Sequence, residues 1–333
     1  MTRASIVAAA AVLAAATLGP RPAAAYVRTE VQAKDSAGNP VGSPVPVAWA
    51  GECVFMTVYP SDFVASPNDN LMTADDVQAG VTAAANAWSM ATQSCTYLSF
   101  SLTFSTAPAP RVVHTDYLTM LVFRTTSWCA LDATGQCSTD PDLEVSYDST
   151  ALALTTVSAN PHTGEIKDVD MEVNAYQHAW GDLVVHPELG PPAMPSSTIQ
   201  DIQNALTHEF GHLIGLDHTC HPAGSSVIPN DQNGNPIPDC LNADADVRAT
   251  TMFPSATPGD ISKRDLAPDD QQGLCDLYST AHDPGVCAPL SPPTNSGCSC
   301  AVAPGARSTV ASAGGALLVV AAALRRRRRR ARR

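Results

Sequence analysis

Apolar and polar residues alternate at Val54, Met56 and Val58, so residues 45–59 predict a first β-strand. The same period of two runs through residues 166–173. There Val169, Met171 and Val173 point one way and Asp168, Asp170 and Glu172 the other. Residues 97–104, 117–123 and 152–157 are also strand-like, and a turn over 160–164 joins the last of these to 166–173. The period turns helical over residues 73–93, where Val77, Val81, Ala84, Ala85 and Trp88 share one face. Thr73 is placed to cap that helix, with Asp75 and Asp76 in its first turn. Residues 191–195, rich in proline, break the chain. Ser196 or Ser197 then caps a second helix, in which Ile199, Ile202, Leu206, Phe210, Leu213 and Ile214 keep helical spacing. A last helix starts near Pro268 and ends around Tyr278. Strands first, with helices threaded between them and no internal repeat, predict an α+β domain.

The two ends read as addresses. Arg3, an apolar run over 6–18 and the small residues ending at Ala25 form a secretory signal over 1–25, cleaved before Tyr26. At the other end Cys298 and Cys300 precede an uncharged stretch over 308–324 and a block of eight arginines. That stretch is at the short end of what crosses a bilayer, and the arginines would hold its C-terminus in the cytoplasm. Between them, residues 26–44 are polar and marked by glycine and proline, as in a leader or linker. Residues 45–283 form the main domain, 284–297 a Pro/Ser-rich linker, and 298–333 a sorting or membrane segment.

Charge sharpens this division. The chain of 333 residues carries a net charge of −13, but residues 26–297 hold all 32 acids and eight basic residues, or −24. Phosphates of nucleic acid or of anionic lipid would be repelled by such a body, and neutral or basic peptides attracted. Eight cysteines in the body indicate an oxidising compartment. Eight cysteines allow 105 pairings. The shortest loops are Cys129–Cys137, Cys220–Cys240 and Cys275–Cys287, which leaves Cys53–Cys95.

The chemistry is concentrated in residues 208–218, with the sequence HEFGHLIGLDH. His208 and His212 lie one helical turn apart, so both imidazoles can reach one ion. Glu209 is beside them, able to serve a metal-activated water without binding the metal. Gly215, free to take a positive φ, lets the chain turn and bring His218 in from another direction. Three imidazoles with an open fourth position suit a catalytic Zn²⁺.

This stretch, followed by Thr250-Thr251-Met252-Phe253-Pro254, resembles the metzincin metalloproteases, with Met252 in the position of the Met-turn methionine. Thr219 after the third histidine, Pro254 in place of a tyrosine ligand, and residues 266–278 are similar to the matrixin branch. The resemblance spans roughly residues 45–278. It implies a zincin-like catalytic domain with a mixed twisted sheet, an active-site helix and a C-terminal helix. It also implies a substrate lying antiparallel along an edge strand, near 152–157, with the side chain after the cut entering a pocket walled near Pro254. Departures are plain: residues 26–44 are too short for a matrixin prodomain and lack its cysteine, leaving Glu30 and Asp35 as the acids there that could maintain latency. The family's secondary zinc site has no match among His114, His162 and His178, and residues 220–250 are an insertion. The tail resembles the MYXO-CTERM sorting signal of myxobacterial surface proteins, which implies processing near Cys298 and delivery to the cell surface.

Calcium is a second cofactor to consider. Asp231, Asn233, Asn235 and Asp239 space oxygen ligands as a calcium loop does, but the distal bidentate glutamate is missing, and a solvated, disulfide-closed loop is the preferred reading. Asp168, Asp170 and Glu172 read either as a calcium edge or as the wet face of a strand. The functional expectation is a secreted, surface-associated zinc endopeptidase with Glu209 as general base and peptide or protein substrates. The alternative is a non-catalytic, zinc-stabilised adhesion or recognition module, which would use the histidines and have no task for Glu209.

Overall fold

A computed structural model of the chain describes residues 26–60, 63, 72–110, 117–132, 134–139, 147–194 and 197–290. The signal segment with Ala25, the tail with Cys298, and Ser196 and His114 lie outside the described residues. Those described fall within one unit, Met1–Pro292, while the other, Pro293–Arg333, lies outside them. Among the described residues no helix is long and apolar enough to cross a membrane.

The chain begins with β1 (Val27–Arg28), β2 (Glu30–Lys34) and β3 (Pro40–Pro46), the last two paired as an antiparallel hairpin. The strand expected over 45–59 is therefore divided. Val45 and Pro46 close the hairpin, and β4 is Cys53–Val58. Val54, Met56 and Val58 are the buried side of β4, as their alternation predicts. β5 (Ser99–Phe104), β6 (Met120–Arg124), β7 (Ala153–Ala159) and β8 (Ile166–Asn174) complete a five-stranded mixed sheet. Its order is β5-β4-β6-β8-β7. All neighbours are parallel except β7, which runs antiparallel to β8 and forms one edge.

The acidic side of β8 is not a wet face. Asp168, Asp170 and Glu172 are all buried. Glu172 is paired with the buried Arg124 of β6 and accepts a hydrogen bond from Tyr147 Oη at 2.9 Å. Tyr117 N–H donates to Asp168 at 3.2 Å. β8 is an interior strand whose second face is roofed by other chain segments, so the period of two marks two buried faces and not one exposed face.

Helix α1 (Ala74–Ala87) starts where the sequence predicts, with a reciprocal capping box between Thr73 and Asp76. It ends six residues before the expected Gln93. The carbonyl of Asn86 is taken by the hydroxyls of Ser89 and Thr92, a competition that hydroxyl side chains commonly win at a helix end. α1 packs on α2 (Ile202–Leu213) so closely that a Cβ on Gly80 would lie 2.9 Å from Ile202 Cγ2. Trp88, fully buried, donates its indole N–H to the Thr207 carbonyl of α2 at 2.7 Å. Below these helices the core runs through Val77, Val81, Leu206 and Phe210. The short α3 (Ala245–Arg248) lies in the 220–250 insertion, and α4 (Pro268–Leu277) closes the domain. The architecture is α+β: a mixed sheet with few helices.

Residues 26–44 are not a separate leader. β1 pairs antiparallel with β11 (Leu216–Asp217), directly before His218. Tyr26 is buried, packs on Gly273 of α4 and donates its hydroxyl to Asp276 at 2.5 Å. Neither acid proposed for latency stands apart from this frame: Glu30 pairs in β2, and Asp35 is consumed by the hairpin turn, accepting from Ala37 and Asn39 N–H. The stretch expected as a linker also lies against the domain. Val286 accepts a hydrogen bond from Glu52 N–H at 2.9 Å, and Leu290 packs on the core.

Four disulfides are formed among the described residues. Cys129–Cys137 and Cys220–Cys240 close the short loops expected. The other two are Cys53–Cys287 and Cys95–Cys275, not Cys53–Cys95 and Cys275–Cys287. Short-loop reasoning fails here because the end of the chain returns to the start of the sheet. Tyr97 N–H donates to Tyr278, Thr280 N–H donates to Cys95, and Glu52 meets Val286, so each half-cystine finds a partner 180 or 234 residues away.

Candidate metal centre

Helix α2 begins later than its apolar spacing suggests. Ile199 belongs to β10 (Ile199–Asp201), which pairs parallel with β9 (Ala179–Gly181), and Asp201 is the cap, accepting from Asn204 N–H at 2.8 Å. Asp201 also holds Arg264, so this cap is anchored to a buried ion network that a serine could not join. From this start α2 buries Leu206, Phe210 and Leu213 in the core, and presents His208, Glu209 and His212 to a cavity of about 890 Å³.

After Leu213 the chain turns at Gly215, whose φ is +97°. A Cβ there would lie 2.4 Å from the Val47 carbonyl oxygen, so both conformation and space require glycine. The turn leads into β11, held by β1, and delivers His218. Its Nε2 lies 3.2 Å from His208 Nε2 and 3.1 Å from His212 Nε2. His208 Nδ1 bonds the Thr251 carbonyl at 2.7 Å and His212 Nδ1 the Leu216 carbonyl at 3.0 Å. A carbonyl can only accept, so both Nδ1 atoms carry the proton and both Nε2 lone pairs face inward. The donor set therefore fits a small cation: the edges of a tetrahedron with metal–nitrogen bonds of about 2.0–2.1 Å measure about 3.3 Å. The three histidines are one of two clusters among the described residues close enough to share an ion. The other, Glu52 with Cys53 and Cys287, has its sulfurs joined in a disulfide and offers no thiolate.

Electrostatics agree with ligand duty. Burial, then the charges of Lys263 and the other two histidines, holds His208 well below the ordinary imidazole value. Burial and neighbouring charge push His218 down to about 3. Glu209 is shifted up from its ordinary value by burial, opposed by His212, by Thr155 and by Lys263. Thr155, on the edge strand β7, donates its hydroxyl to Glu209 Oε2 at 2.6 Å and fixes the carboxylate's orientation.

Met252 lies beneath this arrangement, fully buried, and a Cβ on Gly211 would run into its Sδ, so the turn at 250–253 is pressed against the helix that carries His208 and His212. Asp270 of α4 positions that turn, accepting from Thr251 N–H at 2.6 Å and Met252 N–H at 3.3 Å. His208 thus rests on Thr251, and Thr251 on Asp270. Pro254 lines the cavity beside them.

Burial, then the adjacent Asp269, pushes Asp270 up to about 7 from its ordinary 3.8. Between these values the folded chain holds a proton that the unfolded chain has lost. The resulting stability is complete below about pH 4 and is lost as pH rises through about 7. Urea midpoints measured with metal chelated are expected to fall across that window, and to fall less steeply in Asp270→Asn. An unchanged slope in the variant would remove this assignment.

The other residues considered from sequence do not join the site. His162 stands in the turn after β7, and His178 lines the far part of the cavity without entering the histidine cluster. The proposed calcium loop is a tight turn, in which Asp231 accepts from Asn233 and Asn235 N–H at 2.9 Å each. Sequence reasoning missed Thr155, Asp270 and Lys263. A basic residue so close to the cavity in so acidic a body was the signal available for Lys263, and the Asp269-Asp270 pair was the signal for the turn.

No protein-family model matches the chain, and no curated protein matches it. Among solved structures it is similar to one described as the GM1-bound form of the ECX AB5 holotoxin, at 12% identity and a TM-score of 0.34, covering 77% of this chain and 89% of that one. So slight a likeness carries neither fold nor function across.

Proposed function

We propose that the chain is a zinc-dependent endopeptidase of metzincin type, closest to the matrixins, acting outside the cytoplasm. The observation that carries this is the convergence of three Nε2 atoms beside Glu209 in an open cavity bordered by the edge strand β7. His208, His212 and His218 would hold the zinc. Bound there, the ion supplies a Lewis acid for the scissile carbonyl and acidifies the attacking water.

The chain's own residues do the rest. Among the described strands β7 is at the edge of the sheet, and an extended peptide can add there as a further strand, bringing its backbone across the cavity. Glu209 takes the water's proton on its carboxylate and passes it to the departing amine. Thr155 keeps the other carboxylate lone pairs turned toward the water. Thr251 and Leu216 hold the histidine rings in their ligand tautomer.

An adhesion module built on the same histidines gives no reason for a buried Glu209 oriented by Thr155. The four disulfides support an extracellular or periplasmic setting, and the signal and sorting segments read from the sequence fit it. The deciding experiment incubates the zinc-loaded protein with a denatured protein substrate, with and without chelator. Cleavage abolished by chelation and restored by zinc is expected. Zinc bound at one per chain with no cleavage would move the weight to the binding module.

A further inference from the structure

Two cations follow one another on the 3₁₀ turn Ser262–Arg264, where Lys263 lines the cavity, and they are treated differently by the fold. Arg264 is neutralised: it reaches Asp182 and Asp201 at 2.5 Å each, and Gln203 at 2.9 Å. Lys263 is 5% exposed, and among the described residues no carboxylate oxygen lies within 4.0 Å of its ammonium. Among the described residues its Nζ makes one hydrogen bond, to the Phe253 carbonyl, although an ammonium carries three donors. Its backbone N–H is tied to Asn204 of α2 at 2.7 Å, which fixes the residue against the metal-binding helix.

A buried charge without a counter-ion is costly, and folds that keep one usually have a partner for it. Lys263 lines the same cavity as His208, Glu209, Pro254 and Ser255, and its bond to Phe253 sets the ammonium beside the Pro254 wall. The field of Lys263 is felt at His208, Glu209 and His218, so the charge lies close to the reacting centre. Burial lowers the ammonium only to about 8, where Asp260, Glu209 and Asp270 help to hold it, so it stays charged at neutral pH.

We propose that Lys263 is a specificity-determining residue that pairs with an acidic side chain of the substrate, an aspartate or glutamate directly after the scissile bond. This rests on the endopeptidase reading and on the expectation, drawn from the family resemblance, that the side chain after the cut enters the pocket walled near Pro254. The acids of the fold act on Lys263 only from beyond contact distance, so a direct ion pair is left for the substrate to make, and desolvation of that pair inside the cavity makes it more selective than a surface contact. The −24 charge of the body repels acidic peptides at long range, so preferred substrates would be neutral or basic overall with an acid at this one position.

The test maps cleavage sites in a mixed peptide library, using the full zinc-loaded chain and mass spectrometry. Asp and Glu are expected to be enriched at the residue after the cut. A peptide pair differing only as Glu against Gln at that position should differ by about tenfold or more in kcat/KM. Lys263→Met should bring that ratio near one, and Lys263→Arg should keep it. Binding supplies a second readout that does not depend on turnover. Glu209→Ala protein should bind the Glu peptide more tightly than the Gln peptide, and Lys263→Met in that background should erase the difference. Cleavage without acid enrichment would overturn this proposal and leave the endopeptidase reading standing. No chelator-sensitive cleavage of any peptide would overturn both.

Discussion

Glu209→Ala is expected to keep the metal and to lower turnover of a denatured protein by about two to four orders of magnitude, the usual contribution of a positioned general base. The separation of the two effects follows from geometry. His208 and His212 are anchored through Nδ1 to the Thr251 and Leu216 carbonyls, and neither anchor involves Glu209. Removing the carboxylate therefore leaves the ligand rings in place. Glu209→Gln should lose nearly as much activity, because the amide can still accept from Thr155 Oγ1 but cannot take a proton from water. Thr155→Val should lose less, since the base survives with only its orientation relaxed. Metal content by atomic absorption and initial rates on unfolded protein check all three variants. A Glu209→Ala protein that binds zinc and still turns over would end the general-base assignment.

The motif in residues 208–218 was legible because its geometry is local. Helical spacing aligns His208 with His212, and a glycine at φ +97° brings His218 back from the next strand, all within eleven residues. The period of two marked β4 and β8, whose buried positions on that side are the ones named from sequence. What failed was everything set by distant packing. One of the two readings of the β8 acids, the wet face of a strand, failed because alternation cannot distinguish an exposed face from one roofed by another segment. Residues 26–44 read as a leader because a two-residue strand against β11 has no periodicity to detect. Thr155 is 54 residues from Glu209, Lys263 is 59 from Asn204, and Asp270 is 19 from Thr251, and short-range patterns do not reach that far.

The same non-locality makes Cys95–Cys275 the most consequential covalent link to remove. Replacing both cysteines by alanine is expected to cost about 2–5 kcal/mol, because the bridge closes a loop of 180 residues that the unfolded chain would otherwise explore. For a domain of this size that is a fall in Tm on the order of 10 °C. Cys275 lies on α4 beside the fully buried Leu274, and the same helix carries Asp270, which fixes Thr251 and through it His208. Loosening α4 should therefore weaken metal binding as well as folding. By linkage, zinc that binds only the folded state stabilises it by RT ln(1 + [L]/Kd), so a variant with weaker zinc affinity should gain less in Tm from the same zinc concentration, and the deficit should widen when zinc is added. Calorimetry of both proteins, with and without zinc, measures this, and peptide mapping under non-reducing conditions verifies the pairing beforehand. A variant with unchanged Tm and unchanged zinc affinity would mean that α4 is held by Leu274 and Tyr278 packing alone, and that the turn beneath the histidines does not depend on the bridge.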